Sequence, residues 1–339
     1  MPRQGRHPLK VTGLSLEQPS LHTLTVTTIT HIPELTGYWA DSLNVLKLFF
    51  ASLFDNTPEP FDLMVLDNGS CVEVRDFLLE LKAVGRIQFL VFSSTNLRKL
   101  AGLDYLLRAA PGELVAYADS DVYFLPGWLE ESLRVLQAFP HAGMISALPT
   151  ADKSGVFVHS TLIGARADPT LAIEVGEELI PSAFLRAHRL SLGRSETEYF
   201  SHGRNDVRLS RNGVSAYVGA QDFQFLTTRA AVQAALPLRL EDPTRAYDPI
   251  YSPVLEEKLN AAGFWRLSTC HYLVHHMGNH VPDLAAELQG IVPEAQLQPK
   301  ASEPTSPPPA LKRSIWQMGP IRGLLKRLYT WSYRKLFEK

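Results

Sequence analysis

The sequence contains few cysteines, and this scarcity excludes one class of fold. Cys71 and Cys270 are its two cysteines in 339 residues. Two thiols cannot form the disulfide framework of a small secreted domain, and low cysteine usage is typical of the reducing cytoplasm. We therefore expect a cytoplasmic protein stabilised by a hydrophobic core, for which a hydrophobic content of 45% is ample.

Long apolar runs and an overall basic excess are also absent. No window approaches the roughly 18 uninterrupted apolar residues of a membrane-spanning helix. Lys and Arg number 33 against 35 Asp and Glu. Nucleic-acid binding normally shows as a basic excess, so we expect no nucleic-acid partner. The charge is uneven, however: residues 311–339 hold eight Lys or Arg and one Glu, a local +7, which leaves −9 for the remainder.

The first 150 residues alternate between strand and helix patterns. The predicted strands are 21–30, 61–66, 86–92, 114–118 and 142–147, and the predicted helices between them are 43–54, 74–84, 97–110 and one that begins at 126. This alternation predicts an α/β fold whose mostly parallel, Rossmann-like sheet carries helices on both faces. After residue 213 the chain returns to this style, with strands at 214–218, 222–227 and 264–270 and helices at 229–235 and 253–262.

Three other segments depart from the alternating pattern. Residues 1–20 lack periodicity and are predicted to be a loose lead-in. Residues 150–213, which show a helical pattern only near 171–188, are predicted to be an acceptor-side insertion or lid over a catalytic domain spanning 21–290. Residues 291–313 are rich in Pro and Ser and predict a linker.

The most informative stretch is Leu114–Phe124, LVAYADSDVYF. A strand that ends in Asp119 and Asp121 places two carboxylates at one sheet edge, where ligands bind in open α/β sheets. Such carboxylates repel each other unless a cation lies between them, and oxygen ligands suit Mg²⁺ or Mn²⁺. The alternative is a simple turn, since Asp is favoured there. Asp67, which follows the strand 61–66 directly, favours the metal site.

At this point the chain resembles the family 2 glycosyltransferases of GT-A fold over roughly residues 21–280. The resemblance rests on ITHIPEL at 29–35, LDNGS at 66–70, N-x-x-K-x-x-G-L-D at 96–104, PGELVAYADSDV at 111–122 and VHHMGN at 274–279. It implies an enzyme that transfers a sugar from a nucleotide diphosphate to the hydroxyl of an acceptor.

The resemblance also implies roles for single residues on the donor side. Thr28, Thr30 and Asp67 would hold the base and ribose of the nucleotide. Asp119 and Asp121 would hold Mn²⁺ or Mg²⁺ against the diphosphate, where the metal stabilises charge on the leaving nucleotide.

The resemblance also suggests a third metal ligand and a cation near the phosphates. A C-terminal histidine often completes the metal site in this fold, and His276 fits that role better than its neighbour His275. Lys99 would add a cation near the phosphates, or would be a solvated helix lysine.

The chain departs from the family pattern at several positions. Arg98 stands where the family often has Gly, and Asp104 where it often has Asn. The acidic pair expected before the helix 253–262 falls near Tyr251 and Ser252, which are not acidic.

These departures leave the catalytic base open. An inverting transfer needs one carboxylate to take the proton of the acceptor hydroxyl. Asp248 is the first candidate and Asp222 the second, followed by Glu241 or Asp242.

Two other functions remain as alternatives. One is a catalytically silent GT-A domain that binds sugar nucleotides. The other is a phosphohydrolase of the haloacid-dehalogenase type, which also uses D-x-D but has Thr or Val where this chain has Tyr123.

The basic C-terminal segment, residues 314–339, predicts an amphipathic helix. Its apolar face includes Ile321, Leu325 and Trp331. A basic amphipathic helix with aromatic residues suits an anionic membrane surface, although docking on a protein is the alternative. We expect a cytoplasmic protein that binds peripherally to the inner face of the membrane and uses a carbohydrate or lipid-linked acceptor.

Overall fold

The structure is a computed structural model that describes residues 21–58, 60–150, 158–194, 205–239, 253–293 and 296. The chain divides into two units, residues 1–298 and 299–339, and all described residues lie in the first. The predicted lead-in 1–20, almost all of the linker 291–313 and the predicted helix 314–339 lie outside the described residues.

The described strands are β1 (Leu24–Thr30), β2 (Phe61–Asn68), β3 (Phe89–Ser93), β4 (Leu114–Asp119), β5 (Val122–Phe124), β6 (Ala142–Ser146), β7 (Ala172–Gly176), β8 (Asp206–Arg211), β9 (Val214–Val218), β10 (Gln224–Thr228), β11 (Trp265–Ser268) and β12 (Val274–His276). The described helices are α1 (Ser42–Asn56), α2 (Val72–Ala83), α3 (Arg98–Ala109), α4 (Trp128–Ala138), α5 (His159–Ala167), α6 (Ser182–Ser191), α7 (Arg229–Ala235), α8 (Val254–Ala261) and α9 (Leu284–Glu287).

Ten of these strands form one sheet in the order β3-β2-β1-β4-β10-β6-β11-β9-β8-β7. The first four are parallel neighbours, and β11 is parallel to β6. β10 runs antiparallel to both β4 and β6, and the strands from β9 to β7 continue antiparallel from β11. Most of the sheet's described strands therefore share one direction, as the alternating sequence pattern predicts.

Helices cover both faces of the sheet because the central strands are apolar on both sides. In β2, Leu63 and Val65 pack in a core with residues of α1 and α2. The alternate residues Met64 and Leu66 pack with residues of α3 on the other face. A strand that is buried on both faces reads as a continuous apolar run, and the centre of β2, residues 63–66, is such a run. The mixed α/β class with a largely parallel sheet is confirmed.

The carboxyl ends of the central strands meet at one edge. The register pairs Thr30 of β1 with Asp67 of β2, and Ile29 with Asp119 of β4. Gln224, at the start of the antiparallel β10, lies opposite Ala118. A loop that enters β10 is therefore placed beside the loops that leave β1, β2 and β4.

The structure differs from the sequence-based interpretation within 150–213. The predicted helix near 171–188 is in fact β7 followed by α6, and α5 precedes them. β7 pairs with β8 and extends the main sheet, so part of this segment is sheet edge. The residues of β7 are largely exposed, so the apolar pattern that marks a buried strand is missing and pairing with β8 defines the strand instead. Similarly, β9 and β10 follow each other in the chain but are not neighbours in the sheet.

Within the residues that the structure describes, no helix has both the length and the apolar character needed to cross a membrane.

Candidate active site

The turn after β2 is shaped by Gly69 and Asp67. Gly69 has a φ of 84°, and a Cβ at this position would lie 3.3 Å from the carbonyl carbon of Thr95. Glycine adopts this left-handed conformation without steric cost. The Asp67 side chain is fully buried, and its Oδ1 accepts a hydrogen bond from the backbone N–H of Ser70 at 3.2 Å. Arg75 Nε lies 3.6 Å from the other carboxylate oxygen. Asp67 therefore organises the turn.

Thr28 and Thr30 are also buried, on β1, and their hydroxyl oxygens have no hydrogen-bond partner among the described residues. Ile29 lies between them in the sequence and lines the cleft described next. Alternate residues of a strand point to opposite faces, so the two threonines point away from that cleft. A role for Thr28, Thr30 and Asp67 in holding a base and ribose stays a prediction.

A cleft of about 520 Å³ opens at the carboxyl ends of these strands. The residues that line it are Ile29, His31, Asn68, Asn96, Arg98, Lys99, Tyr117, Asp119, Ser120 and Asp121. It thus contains both aspartates of the D-x-D motif together with two cationic side chains.

Lys99, at the start of α3, joins two carboxylates from distant parts of the chain. Its Nζ lies 2.8 Å from Asp119 Oδ2 and 3.0 Å from Asp222 Oδ2. The hydroxyl of Tyr117 donates a hydrogen bond to the other oxygen of Asp119 at 2.5 Å. Both oxygens of Asp119 are therefore engaged, and Lys99 is an ion-pair partner and not a solvated helix lysine.

The reversal of β10 explains how Asp222 reaches this position. The backbone N–H of Asp119 donates to the carbonyl of Phe223 at 2.7 Å, one residue beyond Asp222. Because β10 runs antiparallel to β4, it begins where β4 ends. Asp222 is thus brought to the same sheet edge as Asp119.

The pKa values reflect an excess of negative charge. Burial, together with Asp121 and Asp222, raises the pKa of Asp119, although Lys99 opposes this shift. Burial disfavours the charged form of Lys99, but Asp119 and Asp222 outweigh it and raise the pKa of the lysine. Burial and the neighbouring Asp119 raise the pKa of Tyr117 well above its usual value, so the phenol remains a hydrogen-bond donor. Two carboxylates share Lys99, and the third, Asp121, lies close enough to Asp119 to raise its pKa.

Asp121 faces His276 on the other side of the motif. β12 pairs with β5 so that His276 lies opposite Val122, and His276 Nε2 is 3.3 Å from Asp121 Oδ2. Burial disfavours the imidazolium, but the Asp121 carboxylate outweighs it and raises the pKa of His276. Among the described residues, the buried Oδ1 of Asp121 has no hydrogen-bond partner.

These two side chains offer an oxygen and a nitrogen ligand, which suit Mn²⁺ better than the oxygen-preferring Mg²⁺. Within the described ranges, no three His, Cys, Asp or Glu side chains are gathered closely enough to hold a metal ion. Of the three predicted metal ligands, Asp119 is already hydrogen-bonded to Lys99 and Tyr117. A metal-binding role for Asp119, Asp121 and His276 stays a prediction. Asp121 and His276 fit this role better than Asp119 does.

Residues 150–213 reach the same site through α6. His188 stacks on Phe223 with ring centroids 5.1 Å apart, and its ring meets His276 edge-on at 6.3 Å. Burial, and then the neighbouring His276, lower the pKa of His188 to about 3. The sequence pattern offered no signal for this neutral histidine.

His275 points away from the site. Its Nδ1 is 2.8 Å from the hydroxyl of Tyr272, and its Nε2 is 3.0 Å from Glu287 Oε2. It therefore links β12 to α9, because adjacent strand residues face opposite sides.

A second buried ion pair, missed in the sequence, lies next to Asp222. Glu256 on α8 is 1% exposed, and its Oε1 lies 4.0 Å from Arg266 Nη2. Burial raises the pKa of Glu256 to about 7, Arg266 opposes the shift, and Asp222 adds to it. Its place in the first turn of a helix leading to Ala-Ala-Gly was visible in the sequence, but its burial was not.

Of the four candidates for the catalytic base, one lies among the described residues. Asp248, Glu241 and Asp242 lie outside the described residues. Asp222 lies inside the site, paired with Lys99.

Comparison with known proteins agrees with this architecture. The model of glycosyl transferase family 2 matches residues 41–187, a range that includes β2 to β6 and both aspartates of the motif. A comparison with curated proteins found no match.

Solved structures show weaker likenesses. The mannosyltransferase PcManGT from Pyrobaculum calidifontis, in complex with GDP-Man and Mn²⁺, is 11% identical over 78% of this chain and 56% of its own, with a TM-score of 0.41. TarS residues 1–349 from S. aureus are 12% identical over 74% of this chain and 58% of their own, with a TM-score of 0.38. This chain thus spans little more than half of either protein.

The family match covers the part of the chain in which β4 ends in the D-x-D motif and Lys99 lies in the first turn of α3. By that match, residues 41–187, which are less than half of the chain, are similar to glycosyl transferase family 2.

Proposed function

We propose that the chain is an inverting, metal-dependent enzyme that transfers a sugar from a nucleotide-diphosphate sugar to an acceptor hydroxyl. The observation that carries the proposal is the charge of the cleft. Lys99 is shared by Asp119 and Asp222, and one buried oxygen of Asp121 has no hydrogen-bond partner among the described residues. Buried carboxylates in excess favour a bound cation, since an unpaired buried charge is costly.

Each side chain then has a part in the reaction. Asp121 and His276 would hold Mn²⁺ or Mg²⁺. A bound divalent cation would supply a Lewis acid that stabilises the departing nucleotide diphosphate. Asp119, which is oriented by Lys99 and Tyr117, would accept hydrogen bonds from hydroxyl groups of the donor.

The acceptor proton is assigned to Asp248 or Asp222. Asp222 has the support of its position beside Asp119, with which it shares Lys99. Asparagine at either position preserves shape but cannot take a proton. The variant that loses turnover while keeping affinity for the donor identifies the base.

The experiment that tests the function has a binding arm and a turnover arm. Thermal unfolding is measured with UDP, GDP, ADP, CDP and dTDP, with and without Mn²⁺, and release of the nucleotide from the matching sugar donors is then followed. We expect one nucleotide to stabilise the chain, in a metal-dependent manner. Asp121→Asn should abolish the metal-dependent part, whereas Asp76→Asn, an exposed carboxylate on α2, should not.

Each of the other outcomes removes a distinct part of the proposal. Binding without turnover by any acceptor mixture would leave a silent sugar-nucleotide-binding module. Binding that is indifferent to metal would refute metal dependence. Retention of the anomeric configuration in the product, measured by NMR, would refute inversion.

We also propose that residues 314–339 bind an anionic membrane surface. The support is compositional: a basic segment with apolar residues at helical spacing, which lies outside the described residues. Attachment to the inner face of the membrane would favour a lipid-linked acceptor, in cell-envelope or polysaccharide synthesis. Co-sedimentation with anionic vesicles is the deciding measurement.

A further inference from the structure

Arg98 adopts a backbone conformation that glycine would adopt without strain. Its φ is 65°, in the left-handed region. The turn is held there by two asparagines: Asn96 Oδ1 accepts the N–H of Arg98 at 2.7 Å, and Asn68 Oδ1 accepts the N–H of Leu97 at 2.7 Å. A side chain with a Cβ is disfavoured in this region. Arginine at this position therefore bears a backbone strain that glycine would avoid, and strained residues concentrate at functional sites.

The side chain of Arg98 lines the cleft and is exposed. Among the residues that the structure describes, it makes no ion pair. Lys99, the next residue, is in the opposite situation, since two carboxylates hold its ammonium group at 2.8 and 3.0 Å. A polyanionic ligand that enters the cleft therefore meets a lysine whose charge is already balanced. Among the described residues that line the cleft, Arg98 is the cationic side chain without an ion pair.

We propose that Arg98, and not Lys99, is the side chain that binds the diphosphate of the donor. A guanidinium offers a planar pair of N–H donors that matches two phosphate oxygens, and its charge balances part of the diphosphate. This assignment rests on the proposed function, because it concerns the donor of that reaction. Lys99 acts beside it as a positioning residue that orders Asp119 and Asp222.

The test compares Arg98→Gly with two matched variants. Arg98→Lys keeps the charge without the planar fork. Glu178→Gly relieves the same left-handed conformation, since Glu178 has a φ of 60°, at an exposed residue that does not line the cleft. Calorimetry measures the affinity of each variant for the five nucleoside diphosphates and for the corresponding nucleosides, and thermal unfolding measures stability.

We expect Arg98→Gly to unfold at a higher temperature than the wild type and to bind the preferred diphosphate about tenfold more weakly, which is typical of losing one charge-assisted hydrogen bond. Nucleoside affinity should stay within about twofold, since the nucleoside lacks the charge that Arg98 balances. Arg98→Lys should recover part of the loss, and Glu178→Gly should gain stability with unchanged affinity. The dependence of diphosphate affinity on salt should be weaker in Arg98→Gly.

Several results would overturn the assignment. Equal losses for diphosphate and nucleoside would place Arg98 at the base. A diphosphate affinity within twofold of the wild type would refute the assignment while leaving the proposed function intact. A wild-type chain that binds none of the nucleotides would refute both.

Discussion

Replacing Lys99 with Met tests whether this lysine is the internal counter-ion of the site. Methionine has a similar length and fills the same space without the charge. The variant leaves Asp119 and Asp222 close together, where a single ammonium group had bridged them at 2.8 and 3.0 Å. Two partly buried carboxylates would then lack their shared partner, and the folded state should lose stability.

The magnitude follows from these distances. In a medium of effective dielectric constant about 20, each contact is worth roughly 6 kcal/mol before the cost of desolvating the ammonium group is subtracted. Removing one partner of a buried pair typically costs about 3–5 kcal/mol. The three side chains retain exposures of 26%, 27% and 22%, which argues for the lower end. We expect a loss of about 3 kcal/mol near pH 8, or roughly 6 °C in Tm for a domain of this size.

The pH dependence has a definite sign. Burial and the neighbouring carboxylates raise the pKa of Asp119 in the folded protein, and Lys99 opposes that shift. Without Lys99 the folded-state pKa of Asp119 rises further, so protonation relieves the repulsion at low pH. A group with a raised folded-state pKa contributes stability that is lost as the pH rises. The difference between wild type and variant should therefore be small near pH 5 and grow towards pH 8.

The assay is urea unfolding of both proteins across this pH range, with Lys82→Met as the matched control. Lys82 is exposed and donates to the backbone carbonyl of Gln88, so its replacement should cost less than about 0.5 kcal/mol. A loss in Lys99→Met no larger than in Lys82→Met would show that the two ion pairs do not stabilise the fold. A large loss that is independent of pH would point to packing and would equally refute the reasoning.

The remaining predictions concern a buried carboxyl group and the C-terminal segment. Burial raises the pKa of Glu256 from 4.5 to about 7, so the stability of the wild type should fall by roughly 3 kcal/mol as the pH rises through that window. In Glu256→Gln this fall should disappear in unfolding experiments at pH 4.5–8, whereas an unchanged slope would locate the titration elsewhere. Deletion of residues 311–339 should abolish co-sedimentation with anionic vesicles, and wild-type binding should weaken with salt because it depends on the segment's charge. Equal binding of both forms would exclude this segment as the membrane contact.

The sequence predicted most of the regular elements because their signals are local. The apolar runs of β2 and β4 are continuous since both faces of these strands are buried, and each run ends in Asp67 or Asp119. The helical spacing in α1 and α4 marks one buried face. β7 escaped prediction because its residues are largely exposed and because the residues it pairs with lie 30 to 38 positions later in the chain.

The site was predicted only in part, because some of its features depend on local sequence and others on contacts between distant residues. The D-x-D motif and its place at a strand end were visible, and Arg98 stood out as a departure from glycine that the structure explains by a left-handed backbone. The pairing of Lys99 with Asp119 and Asp222 was not visible in the sequence. Whether a lysine is solvated or paired depends on what the fold brings to it.

The sequence by itself determined where strands end and therefore which residues, Asp67, Asp119 and Asp121 among them, lie at the carboxyl edge of the sheet. It did so because backbone periodicity and burial act over a few neighbouring residues. Only the tertiary structure decided that Asp222 shares Lys99 with Asp119. The same holds for the contact of His276 with Asp121 and for the edge-on contact of the His188 ring with His276. Those contacts join residues far apart in the chain, and they depend on the reversal of β10 and on the pairing of β12 with β5.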